Sequence, residues 1–221
     1  MKIQINNTEA VTAIVYKANK QKQTGITLLL GHGAGADQTS AFMVNFAEEL
    51  AARGIDVVTF NFLYKEQGRS APDRQEKLEA CYRAVIKAVQ KKLAANKLFI
   101  GGKSMGGRIA SQVAANENEG ISGLVFLGYP LHPPGKPDAL RAEHLPRIQR
   151  PMFFVQGERD TFGTPDELQP IISTLTPACT IYTIANGDHS FTVPKKSLMS
   201  QADVYTAAQD EIVRWLGVRS A

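Results

Sequence analysis

The chain has 221 residues, of which 43% are hydrophobic, and 25 Lys and Arg against 21 Asp and Glu leave a net charge of +4. That size and apolar content fit one globular domain over residues 1–221 with a large core. The basic residues are scattered, with short clusters such as Lys91-Lys92 and Lys195-Lys196, rather than gathered in a stripe interleaved with aromatics, which argues against nucleic-acid binding. No run approaches the roughly 18 apolar residues of a membrane span, and residues 1–7 lack the apolar stretch of a signal peptide. Cys81 and Cys179 have neither metal-ligand spacing nor a CxxC partner. They are expected to be reduced, in a cytoplasmic protein.

Strand and helix patterns alternate from start to finish. Residues 2–6 and 11–16 alternate in hydrophobicity around the turn-like Asn6-Asn7-Thr8-Glu9 and predict an opening hairpin. Residues 26–30 are a continuous apolar strand. Phe42, Phe46 and Leu50 then recur at helical spacing, and residues 55–60 read as strand again. Pro72 is expected to open a helix whose inner face is Leu78, Tyr82, Val85, Val89 and Leu93. Strand 97–100, helix 109–115, strand 121–127, strand 151–156, helix 165–174, strand 179–184 and helix 201–216 complete the series. The apolar middle strands imply helices on both faces, so the fold class is α/β with a doubly wound, mostly parallel sheet of about eight strands. Residues 128–150, rich in proline, form the longest irregular stretch.

The octapeptide Gly101-Gly102-Lys103-Ser104-Met105-Gly106-Gly107-Arg108 stands between a strand and a helix. Gly-x-Ser-x-Gly in that setting has the form of a nucleophile elbow. The turn is so tight that a side chain at Gly102 or Gly106 would collide with the neighbouring element, and the serine backbone is expected to be strained. Gly102-Lys103-Ser104 also matches the tail of a phosphate-binding loop, but that motif needs a glycine where Lys97 stands.

A serine nucleophile needs a base, and the base needs an orienting group. Of His32, His132, His144 and His189, the last follows the final strand in Ala185-Asn186-Gly187-Asp188-His189 and is the candidate base. The acid is expected between serine and histidine in chain order. Asp160, just past strand 151–156, is the first choice, with Glu158 and Asp166 behind it; Asp166 better suits a helix cap. The oxyanion hole requires two backbone N–H groups. Met105, following the nucleophile, supplies one, and Ala34, or else Gly33, supplies the other from the loop Gly31-His32-Gly33-Ala34-Gly35-Ala36. That loop also fits a degenerate dinucleotide fingerprint, yet no acid closes the next strand, which ends Thr59-Phe60-Asn61. Tyr129, Leu131, His132, Phe162 and Phe191 flank the catalytic loops as candidate pocket residues. Lys103 and Arg108 could favour an anionic substrate or serve as surface charge.

With Gly33-Ala34, Ser104, Asp160 and His189 in this order, the chain resembles the α/β-hydrolase superfamily over essentially its whole length. Its segments Gly31-His32-Gly33-Ala34-Gly35, Gly102-Lys103-Ser104-Met105-Gly106-Gly107-Arg108 and Leu127-Gly128-Tyr129-Pro130-Leu131-His132-Pro133-Pro134-Gly135 resemble small dienelactone-hydrolase-like members and a branch of predicted hydrolases. The resemblance implies an eight-stranded sheet with its second strand antiparallel, ester or related acyl substrates, and no cofactor or metal. The expected partner is a small-molecule acyl substrate, for a monomer or homodimer. Many esterases insert a large cap after the sixth strand; here that slot holds only residues 128–150, so an open site is expected. The reading from another class is an interaction module that keeps the fold without catalysis. Esterase, thioesterase and peptidase all remain open, because one triad serves all three.

Overall fold

The computed structural model describes residues 1–93, 95, 97–117, 119–177 and 179–218. Its strands are β1 (Lys2–Gln4), β2 (Ala10–Tyr16), β3 (Ile26–Gly31), β4 (Asp56–Phe60), β5 (Lys97–Lys103), β6 (Gly123–Leu127), β7 (Met152–Gly157) and β8 (Cys179–Ile184). They form one sheet in the order β1-β2-β4-β3-β5-β6-β7-β8. β2 runs antiparallel to both of its neighbours, and every pair from β4–β3 onward is parallel. The eight strands and the single reversed one agree with expectation.

β3, β6 and β7 are buried at every residue, which is why they read as unbroken apolar runs. Helices α1 (Ala41–Ala52) and α6 (Gln201–Val218) cover one face; α3 (Gln75–Leu93), α4 (Met105–Asn116) and α5 (Pro165–Ile172) cover the other. Alternation along β3 shows the division: Leu28 and Leu30 pack with Phe46 and Leu50 of α1, while Leu29 packs with the α3–α4 side. Trp215 of α6 stacks on Phe153 at 5.3 Å and meets Phe99 edge-on at 5.8 Å. Each fully buried side chain of this size stabilises the fold by about 1.5–3 kcal/mol.

Two local expectations are corrected, and one element is added. The helix assigned to Pro72 begins at Gln75, and Pro72 instead lines the cleft described below. The helix at Pro165 is capped by Thr164, not Asp166; Thr164 and Glu167 bond reciprocally as a capping box, which leaves Asp166 in the first turn. A single turn, α2 (Leu63–Glu66), follows β4 unannounced, because four residues are too few to show a period. The stretch 128–150 holds only a three-residue 3₁₀ turn, Leu145–Arg147.

Among the described residues, no helix is long and apolar enough to cross a membrane. Both cysteines carry free thiols, and burial pushes them up, Cys81 to about 12 and Cys179 to about 11. The sheet's order places the site. The chain leaves β3 toward β4 on one side and leaves β5 toward β6 on the other, so the loops after β3 and β5 diverge from a shared crevice at the carboxyl edge. Tyr82 of α3 ties the two strands beneath it, its hydroxyl lying 3.1 Å from the Leu29 carbonyl and 2.7 Å from that of Gly101.

Candidate active site

Ser104 sits at that crevice, between β5 and α4, at φ 49° and ψ −115°. This conformation is costly for a side-chain-bearing residue, on the order of 1–3 kcal/mol, and persists only where the surroundings impose it. The imposition comes from β3. A Cβ on Gly102 would lie 2.2 Å from the Gly31 carbonyl oxygen, and one on Gly106 would lie 2.1 Å from the same atom. Only glycines at both positions allow the turn to press against β3 while holding the Ser104 hydroxyl above the sheet edge.

His189 follows β8, and its Nε2 lies 2.8 Å from Ser104 Oγ. Its Nδ1 lies 2.8 Å from Asp160 Oδ2. A carboxylate accepts only, so Nδ1 carries the proton and Nε2 offers its lone pair to the serine hydroxyl. Phe162 packs over the imidazole with ring centres 4.2 Å apart. Asp160 is buried and further accepts the Phe162 N–H at Oδ1 and the Gln156 amide at Oδ2, both at 2.8 Å. Gln156 went unnoticed in the sequence. It is buried near the end of β7, and its amide also reaches the carbonyls of Tyr129 and Gly163 while its oxygen accepts the Tyr129 N–H. The other two acids considered lie elsewhere: Glu158 takes the Asn186 N–H at 2.6 Å, and Asp166 stays on α5. Asp188 turns from the imidazole to accept the N–H groups of Ser190 and Thr192.

Met105 opens α4, where the first N–H groups lack intrahelical acceptors. Gly33 and Ala34 face it across the cleft; a Cβ on Gly33 would stand 3.7 Å from Ser104 Cβ. The loop is held by His32, whose Nδ1–H donates to the Gly33 carbonyl at 2.8 Å while Nε2 accepts the Phe62 N–H at 3.2 Å. Burial holds the His32 pKa at about 4, against an ordinary value of 6.5. The unfolded chain therefore takes up a proton as pH falls through 6.5, and the folded chain does so only near 4. Stability is full above pH 6.5 and declines by ~3 kcal/mol between 6.5 and 4 on account of His32 alone. His144, also pushed down to about 4 by burial and by Arg108 and Arg147, acts in the same direction. The melting temperature is expected to drop over this window, and His32→Gln, though less stable at pH 7, should show a shallower drop. Equal slopes for the two proteins would contradict it.

Lys103, the last residue of β5, turns inward. Its ammonium donates to the His189 carbonyl at 2.7 Å and lies 5.8 Å from the ring centres of both Phe42 and Phe191. Burial pushes its pKa down to about 8, against the partial opposition of Asp160 and Asp188.

A cleft of ≈ 670 Å³ opens over Ser104, lined also by Phe42, Met43, Phe162 and Tyr205. Of the five expected pocket residues, only Phe162 lines it. Tyr129, Leu131, His132 and Phe191 point into the protein. Tyr129 donates to the Arg141 carbonyl, and its backbone is held by Gln156. Leu131 packs in the core against Gly163, His132 lies 3.3 Å from Glu167, and Phe191 packs on Phe42 and Phe46. Among the described residues, no group of three His, Cys, Asp or Glu is placed to hold a metal ion.

The sequence profile of a family described as an alpha/beta hydrolase domain matches residues 24–217. The chain belongs to this α/β-hydrolase family. Solved structures similar to this α/β hydrolase share its fold. One is Est1E from Butyrivibrio proteoclasticus with ferulic acid bound, at 14% identity and TM-score 0.77, covering 97% of this chain and 98% of that one. Another is a serine hydrolase without a lid from Xanthomonas campestris, at 19% identity and TM-score 0.75, covering 97% and 93%. A third is a dienelactone hydrolase from Anabaena variabilis, at 20% identity and TM-score 0.74, covering 97% and 94%.

Proposed function

We propose that this hydrolase cleaves a small ester or related acyl substrate, with Ser104, His189 and Asp160 as a catalytic triad. The observation that carries the reading is the unbroken relay of two 2.8 Å contacts from Ser104 Oγ through the imidazole to Asp160, opening on a cleft. His189 Nε2 takes the Ser104 proton as Oγ attacks the acyl carbonyl, whose π electrons move to oxygen. The N–H groups of Met105 and Ala34, or Gly33 in place of Ala34, meet that oxyanion. The carbonyl re-forms, the bond to the leaving group breaks, and His189 returns the proton to the departing alcohol. A water then repeats the sequence on the acyl-enzyme, releasing the acid and free Ser104. Asp160 holds the tautomer that this requires and steadies the imidazolium.

Two further features support the reading. The strained Ser104 backbone serves no packing purpose, since its side chain faces the cleft. The Lys103 ammonium on the His189 carbonyl anchors the base-bearing loop to the strand that carries the nucleophile. A fluorophosphonate probe is expected to label the wild type and not Ser104→Ala. Equal labelling of both, or of neither, would overturn the assignment.

A further inference from the structure

We infer that Arg108 and Arg141 form an anion subsite beside Ser104, so that the substrate carries a carboxylate or phosphate group in addition to its acyl bond. The inference rests on the acyl-hydrolase reading of Ser104.

Arg108 stands one helical turn beyond the nucleophile, its N–H bonded to the Ser104 carbonyl at 3.1 Å. Arg141 reaches the same cleft from the 128–150 loop. Its position is built. Its N–H donates to the Leu131 carbonyl at 2.7 Å, and its own carbonyl accepts from the buried Tyr129 hydroxyl at 2.8 Å. Tyr129 and Leu131 thus act on the site from within, by fixing the loop that presents Arg141.

Neither guanidinium makes an ion pair among the described residues. Of the acids nearby, Glu79 is bonded to Arg83 and Gln75 and offsets the Arg108 charge only through space, Asp73 pairs with Arg69 through Oδ1 at 2.6 Å while its buried Oδ2 has no partner, and Glu143 is exposed. Burial first and the like charge of Arg141 second push the Arg108 guanidinium below its ordinary range. Two half-buried cations with no ion pair of their own repel one another, Glu79 offsetting this only in part, and a shared anion removes that repulsion. Their forked donors suit carboxylate or phosphate oxygens. Both also border a second groove whose lining mixes Arg147 and the neutral His144 with the carboxylates Glu79 and Glu143, so the anion is expected at the two guanidinium groups themselves and not along that groove.

The test compares 4-nitrophenyl hemiglutarate with its methyl ester. Wild type is expected to favour the carboxylate form in kcat/KM by about 10–100-fold, the scale of a charged hydrogen-bonded pair. In Arg108→Met and, separately, Arg141→Met, that ratio is expected to fall toward one, chiefly through KM. A ratio unchanged in both variants, or a wild-type preference for the methyl ester, would overturn the subsite while leaving the hydrolase reading intact. Calorimetry on Ser104→Ala with monomethyl glutarate and with methyl phosphate reads binding without turnover and tells the two anions apart. Binding of either that weakens at least tenfold when Arg108→Met is added supports the subsite even if no ester is cleaved. Binding of neither sinks it.

Discussion

Ser104→Ala is expected to lower kcat on an activated ester by about 10⁶-fold, the scale that loss of the nucleophile has in serine proteases. Its melting temperature should barely move. Alanine keeps the Cβ and therefore the strain at φ 49°, and it gives up a hydroxyl at the cleft whose one side-chain bond, to His189 Nε2, water can replace. Ser104→Gly separates the two roles of this position. It removes the same hydroxyl and must be as inactive, but glycine adopts a positive φ without steric cost. It should be more stable than the alanine variant by about 1 kcal/mol, since the relief of strain exceeds the entropy that glycine adds to the unfolded chain. Titration of kcat together with thermal melts of both variants checks this. A glycine variant no more stable than alanine would mean that the elbow stores no strain. Residual activity in alanine within tenfold of wild type would remove Ser104 from the chemistry.

The parts of the site legible in the sequence were those whose chemistry demands a residue type at a fixed place in the topology. Ser104 was marked by Gly102 and Gly106, whose absent side chains are required by the 2.2 Å and 2.1 Å approaches to the Gly31 carbonyl. Asp160 and His189 were marked by following the last two strands, where a parallel sheet collects its loops. Side-chain direction was not legible in the same way. Tyr129, Leu131, His132 and Phe191 are near the site in sequence, but each turns toward the core, because their loops must bury apolar surface of their own. The cleft wall is instead made by residues far apart in the chain, such as Phe42, Pro72, Arg141 and Tyr205, and no local pattern brings these together. Two supports did leave a trace. Gln156 is a lone polar residue at the end of an apolar strand, and His32 follows another such strand. A buried polar side chain must find partners, and here the partners are Asp160 and the Gly33 carbonyl of the loop after β3.

Asp160→Asn is expected to lower kcat by about 10⁴-fold, as the equivalent change does in serine proteases, and the bonding around Asp160 says why no rearrangement avoids it. Three donors converge on the two carboxylate oxygens: the Phe162 N–H on Oδ1, and the Gln156 amide and His189 Nδ1 on Oδ2. An asparagine has one acceptor oxygen and one NH₂. If the NH₂ takes the Oδ2 position, it faces both the Gln156 amide and the imidazole. Nδ1 must then accept, the proton moves to Nε2, and an N–H points at Ser104 where a lone pair is needed. If the NH₂ turns toward Phe162, the imidazole keeps its tautomer, but the neutral amide no longer steadies the imidazolium that forms, and the Phe162 N–H is left buried against another donor, a cost of about 1–3 kcal/mol. The first orientation still sets the Gln156 amide against a donor, so some stability is lost either way. Expected, then, are a large fall in kcat with KM little changed, and a lower melting temperature. Glu158→Gln provides the comparison, because Glu158 lies two residues before Asp160 in the same loop and holds only the Asn186 N–H. Its kcat should stay within about twofold of wild type, with any loss appearing in stability as that charge-assisted bond weakens. Should Glu158→Gln instead carry the larger loss in kcat, the orienting acid would be Glu158, reached by a shift of the loop that joins β7 to α5.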